Sequence, residues 1–189
     1  MKSLKDILEI LYFASGIAVA VIAGFGLQQI REIKRQTQTS ETQHREVLDR
    51  DARRLAAELG ERYIRDIAPR SVQHHGELEN LRLNWSRVWS EGPLFDWSSI
   101  PLGDGDKQRF RDQLLPWANT CSDVLNELEG MALLFNRNVA SDELGRSLLA
   151  APIVSVVCAL WPVIAVARID SPKAYTEIAS LYDRWNSWS

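Results

Sequence analysis

Residues 10–30 read ILYFASGIAVAVIAGFGLQQI, an uncharged run of 21 residues. At about 1.5 Å per residue, a helix of this length spans the roughly 30 Å of hydrocarbon in a bilayer. A cleaved signal peptide has a shorter apolar core that ends at a small-residue site, whereas Ala18-Val-Ala20 lies in the middle of this run. The run therefore predicts an uncleaved transmembrane helix over residues 10–30, after a short tail of residues 1–9.

The basic residues around this run predict its orientation. Two lysines precede it, and more cations follow closely: Arg31, Lys34, Arg35 and Arg45. Because cytoplasmic flanks carry the excess of Lys and Arg, the C-terminal bulk is predicted to lie in the cytosol, at a bacterial inner membrane. Two cysteines without a pairing pattern agree with a reducing compartment. A net charge of −3 makes nucleic acid an unfavourable partner, which leaves the lipid bilayer as the first predicted partner.

Small residues recur every four positions inside the run, at Gly16, Ala20 and Gly24. On a helix they share one face and let two backbones approach closely, which predicts a homo-oligomer. Small residues are also common in membrane spans, so a chance stripe remains the alternative.

The rest of the chain predicts an all-α fold. Residues 31–45 are predicted to form a polar juxtamembrane stalk that is helical at its start and looser after Thr37, with no sustained coiled coil. Residues 46–189 are predicted to form a helical cytosolic bundle. Its first helix is expected to end at Pro69, and an apolar seam from Phe110 to Phe135 predicts a core helix with a kink or restart at Pro116.

A second uncharged run of 21 residues extends from Ser147 to Ala167. Its length alone would suit a second membrane span. Pro152 and Pro162 instead indicate broken helices, and a compact bundle needs a central helix that is apolar all round. We expect the buried core, with the membrane span as the open alternative.

The sequence contains no common motif for phosphate or dinucleotide binding, for zinc-dependent hydrolysis or for the nucleophile elbow of hydrolases. No cofactor or metal site is expected. One pattern bears on chemistry: Arg70, four residues, then His75. It resembles the Arg-x(4–6)-His motif of HEPN-type ribonucleases, which are small helical domains that work as dimers. That resemblance implies that Arg70 holds a phosphate and His75 transfers protons, whereas the plain alternative is an exposed polar turn between helices.

The element Leu125-Asn-Glu-Leu-Glu-Gly-Met-Ala132, with Arg168, Tyr175 and Trp185, resembles an uncharacterised bacterial family. Its members are short proteins with one N-terminal membrane helix and a helical cytosolic domain, so the resemblance implies a soluble setting for Ser147–Ala167. Within this element, Asn126 and Glu129 lie beside the apolar seam. They are expected to satisfy backbone groups or, alternatively, to form a subunit or ligand contact.

The layout is also similar to that of the small membrane proteins that accompany type VI CRISPR nucleases. The function expected is therefore non-enzymatic: a membrane-anchored, oligomeric helical protein that acts by interaction or membrane perturbation, in bacterial anti-phage defence. Two alternatives stay open, namely a HEPN-like ribonuclease using Arg70 and His75, and a passive membrane scaffold for a cytosolic protein partner.

Overall fold

The computed structural model describes the backbone of residues 4–187 and the side chains of residues 28–187. All regular secondary structure in this part of the chain is helical, which confirms the all-α prediction. The helices are α1 (Leu4–Arg62), α2 (Ala68–Asn84), α3 (Ser86–Ser90), α4 (Asp104–Thr120), α5 (Ser122–Asn136), α6 (Asp142–Asp170) and α7 (Thr176–Asn186). A π-helical turn (Tyr63–Ile67) follows α1, and a 3₁₀ turn (Trp97–Ser99) lies in the loop before α4.

The chain divides into two compact units, with the boundary between Leu48 and Asp49. The described side chains of the first unit, residues 28–48, form what we name the stalk helix, and every one of them is exposed. The prediction of a looser stalk after Thr37 is wrong, because these residues are helical throughout. A transmembrane helix was predicted over residues 10–30, with a stripe of small residues on one face. Almost all of these side chains lie outside the described ones, so the membrane location of this helix stays a prediction.

The second unit, which we name the helical domain, is built around α6. This helix packs against α2, α4, α5 and α7. Its C-terminal half is buried on all sides from Ala159 to Val166, whereas its N-terminal half keeps an exposed side that includes Leu148 and Ser155. Burying each large aliphatic side chain of this kind contributes about 1.5–3 kcal/mol, so α6 supplies much of the core.

The sequence run Ser147–Ala167 forms a single helix, so the prediction of broken helices is wrong. Pro162 lacks the N–H that an α-helix needs and disturbs the carbonyls one turn before it. The indole Nε1 of Trp89 donates to the carbonyl of Ala159, 3.4 Å away, and thus provides a donor from α3 beside the proline. By length and hydropathy, α6 is also the one helix among the described residues that could cross a membrane, yet 56% of its most apolar window is buried by protein.

Two other predicted boundaries are wrong for related reasons. Pro69 does not end a helix: the π-helical turn absorbs an extra residue, and the proline then lies in the first turn of α2, where its missing N–H has no partner to lose. The seam from Phe110 to Phe135 divides into α4 and α5 at Cys121, whereas Pro116 lies inside α4. Ser141 caps the start of α6, since its hydroxyl accepts from the N–H of Leu144.

The close packing of α5 on the start of α6 gives a test of this core. A Cβ at Gly145 would overlap the fully buried ring of Phe135, which itself contacts Trp185 at 5.2 Å between ring centroids. Gly145→Ala should therefore lower the free energy of unfolding by about 1–3 kcal/mol, the usual cost of overpacking.

Gly130 provides the matched control for that substitution. It lies exposed in α5, and a Cβ there meets nothing within 4 Å. Gly130→Ala should raise the free energy of unfolding by about 0.5–1 kcal/mol, because Gly is a poor helix residue. Urea unfolding measures the free energy of unfolding of both variants. A Gly145→Ala chain as stable as the parent would contradict the packing of Phe135 against Gly145.

Candidate functional site

Arg70 lies in the first turn of α2 and points toward α5. Its Nη2 donates to Glu127 Oε1 at 2.6 Å, and its Nε donates to the carbonyl of Asp66 at 2.7 Å. The Nη2 of Arg62 approaches the other oxygen of Glu127 at 3.5 Å. Two guanidinium groups thus flank one half-buried carboxylate, and Arg70 is held by partners within the chain.

His75 lies on another surface of the same helix. Five residues on an α-helix correspond to about 140° of rotation, so Arg70 and His75 point in different directions. His75 lines a small cavity of about 200 Å³ with Ser155 and Ala159 of α6, and its Nε2 is 3.8 Å from a carboxylate oxygen of Glu79. The pattern lies within α2 rather than in an interhelical turn, and the two side chains point to different surfaces of this helix.

Glu129 has a structural task. Its two carboxylate oxygens accept from the backbone N–H groups of Glu177 and Ile178, at 3.1 and 2.9 Å. These N–H groups lie in the first turn of α7, where no intrahelical partner exists. Tyr175, the residue just before α7, adopts a left-handed conformation with φ 55°, and its side chain does not cap the helix. Glu129 of the neighbouring helix α5 provides the cap instead. The sequence expectation that Glu129 satisfies backbone groups agrees with this geometry.

Asn126 lies apart from that cap. It is exposed on α5 and lines a hollow of about 410 Å³ with Leu59, Arg62 and Gly130. The structure therefore separates the two residues that the sequence pattern grouped. Asn126 stays available for a contact, whereas the side chain of Glu129 is engaged by α7.

The two cysteines differ in their surroundings, and neither is in a disulfide. Burial, together with the nearby Glu77 carboxylate, raises the pKa of the Cys121 thiol to about 11. The thiol therefore stays protonated at neutral pH, and a protonated thiol is a poor nucleophile. Cys158 is half-buried, with its Sγ 3.8 Å from the Tyr182 hydroxyl. Among the described residues, no three His, Cys, Asp or Glu side chains lie together as a metal site would need.

The helical domain contains a cleft of about 930 Å³ that sequence reasoning missed. We name it the α6–α7 cleft, and its lining comes from the loop before α4, the end of α6 and one face of α7. The lining residues are Phe95, Asp96, Trp97, Ser98, Arg168, Ile169, Pro172, Thr176, Ala179, Ser180 and Asp183.

The aromatic wall of the cleft is held by packing. The Trp97 ring stacks on Phe110 at 6.0 Å and 14° between planes, and Phe95 meets Tyr182 edge-on at 5.7 Å. Apolar residues recur in this loop, and these contacts hold it against the domain. The cleft itself had no sequence signal, since residues 95–98 of this loop are far along the chain from the other lining residues, which lie between 168 and 183.

The polar groups of the cleft carry both signs of charge. Hydrogen bonds from the backbone and side chain of Ser98 hold the pKa of Asp96 below its usual value, and the cations Arg168 and Lys107 add to this. The Nε of Arg168 donates to the carbonyl of Pro172 at 3.2 Å. Asp183 adds an exposed carboxylate on α7. The cleft can thus contact apolar and charged groups of a ligand together, as protein-binding grooves do.

The capping task of Glu129 can be tested against its neighbour. Glu129→Ala removes both acceptors from the start of α7 and should lower the free energy of unfolding by about 1–2 kcal/mol. Asn126→Ala, on the exposed face of the same helix, should change it by less than about 0.5 kcal/mol. Urea unfolding of both variants decides this, and equal effects would contradict the assignment of the cap to Glu129.

The element that carries the family resemblance, residues 125–132, lies entirely in α5. Its apolar members Leu125, Leu128, Met131 and Ala132 are buried, so they serve the core of the domain. No family model, curated protein or solved structure matches the chain. Membership of the uncharacterised family stays a prediction.

Proposed function

We propose that the chain is a single-pass membrane protein whose helical domain binds a protein partner on the cytosolic side. One observation carries the proposal: helix α1 is unbroken from Leu4 to Arg62, so the uncharged run 10–30 continues as helix into the exposed, polar stalk helix. A helix satisfies its own backbone N–H and C=O groups, which is what the hydrocarbon of a bilayer demands.

The burial of α6 supports a single anchor. Helix α6 is long and apolar enough to cross a membrane, but its apolar surface is largely covered by the other helices of its own unit. Moving it into lipid would expose the apolar faces of α4 and α7 to water. The run 10–30 is then the segment left to serve as the anchor, and the cations Arg31, Lys34 and Arg35 place the C-terminal side in the cytosol.

The α6–α7 cleft supports a binding role for the domain. Its volume lies in the range of ligand-binding sites, and its wall combines the aromatic rings of Phe95 and Trp97 with the charges of Arg168 and Asp183. By contrast, Arg70 is engaged by Glu127, and the Cys121 thiol is held protonated. Arg70 and Cys121 are therefore committed to the fold, and binding is the function that the geometry favours.

The anchor is tested by charge substitution in the apolar run. Val19→Lys with Ile22→Lys places two cations near the centre of the span, at a cost of about 2.5–3.5 kcal/mol each on insertion scales. This variant should move from the carbonate-resistant membrane pellet to the supernatant. The matched control, Thr39→Lys with Thr42→Lys in the exposed stalk helix, should stay in the pellet.

The same membranes test the orientation and the partner. A C-terminal green fluorescent protein should fluoresce, and a C-terminal alkaline phosphatase should be inactive.

A photo-cross-linking residue in place of Ser180, inside the cleft, should give one dominant adduct in cells, whereas the same residue in place of the exposed Glu143 should give none. A parent chain in the supernatant, or equal adducts at both positions, would overturn the proposal.

A further inference from the structure

The stalk helix, residues 28–48, lacks the support that a helix in water usually has. Every described side chain in it is exposed, and the first ion pair along the described chain joins Asp49 to Arg53, just beyond it. Its sequence includes Thr37, Thr39, Ser40 and Thr42, which are weak helix formers. A helix that is polar nearly all round, with few i,i+4 pairs, is marginal unless something packs against it.

One line of this helix has the spacing of a coiled-coil seam. Its members are separated by 3, 4, 3, 4 and 3 residues: Ile30, Ile33, Thr37, Ser40, His44 and Val47. The three aliphatic members are 50–63% exposed. The next two places on this line hold Asp51 and Arg54, so the seam ends where the first compact unit ends.

The polar middle of the seam is compatible with pairing. Thr37 donates its hydroxyl to the carbonyl of Ile33 at 2.9 Å, so its polar group is satisfied within its own helix. It can therefore present its methyl group to a neighbour without leaving a buried hydroxyl unpaired. The sequence argument against a sustained coiled coil rested on the polar heptad places at Thr37, Ser40 and His44, and this geometry removes the objection at Thr37.

We propose that the occupant of this seam is the stalk helix of a second copy of the chain, in a parallel coiled coil. The residues that flank the seam are compatible with a second copy. One flank carries the neutral Gln29, Gln36 and Gln43. The other flank carries Lys34, Glu41 and Leu48.

Parallel pairing places each Gln of one copy against the opposite flank of the other, so no like charges meet. Two copies with the same membrane orientation have parallel stalks. Confinement to the membrane also raises their effective concentration, which favours pairing through a short seam of six layers, three of them polar. The inference in this respect rests on the proposed function.

Disulfide cross-linking of the full-length chain in membranes tests this arrangement. Ser40→Cys and Val47→Cys lie on the seam, whereas Arg35→Cys and Thr42→Cys lie on the outer face of the same exposed helix. After mild oxidation, the seam variants should give several-fold more covalent dimer on non-reducing gels than the outer variants. The parent chain, with Cys121 buried and Cys158 half-buried, sets the background.

A second substitution tests the seam independently of thiol reactivity. Ile33→Lys should abolish the dimer formed by Ser40→Cys, while Gln38→Lys, on the outer face, should leave it intact. Equal cross-linking at seam and outer positions, or none at the seam, would overturn the inference. Fractionation of the same samples separates the two proposals: dimer in the soluble fraction contradicts the anchor alone, and membrane-bound chain without dimer contradicts the coiled coil alone.

Discussion

The burial of one uncharged run within α6 is the constraint on which the helical domain depends. Residues 147–167 carry no charge, and the domain places this run where α2, α4, α5 and α7 can cover it. The prolines inside α6 would break an exposed helix, but Pro162 is buried and Trp89 of α3 donates to a carbonyl beside it. Packing from neighbouring helices thus outweighs the local preference of proline, as tertiary contacts commonly do.

Polar contacts then fix α7 against this core at both ends. Glu129 of α5 caps its first turn, and Asn136 donates to the carbonyl of Glu177 at 2.9 Å. Near its other end, Asp142 accepts from the Trp185 indole at 2.9 Å and pairs with Arg184. These partly buried hydrogen bonds orient α7 and so form one wall of the α6–α7 cleft. Side chains whose types would suit a catalytic site thus position one wall of this cleft.

The fold class was predictable because helical periodicity is a local property of the sequence. The start of α7 was not, because its cap comes from Glu129, 48 positions earlier in the chain. The break at Cys121 and the continuation through Pro69 also depend on tertiary packing and on a π-helical turn, which no local pattern announces. The cleft unites two distant segments, residues 95–98 and 168–183, so only the folded chain could reveal it.

The central claim is that the run 147–167 lies in protein while the run 10–30 lies in lipid. All seven tryptophans follow residue 84, and Trp161 lies in the middle of α6. Bromine on lipid acyl chains quenches indole fluorescence only at close range, so the direct measurement compares the fluorescence of the full-length chain in vesicles of brominated and ordinary lipid. The account predicts nearly equal fluorescence in the two. Strong quenching by the brominated lipid would place α6 in the bilayer and contradict it.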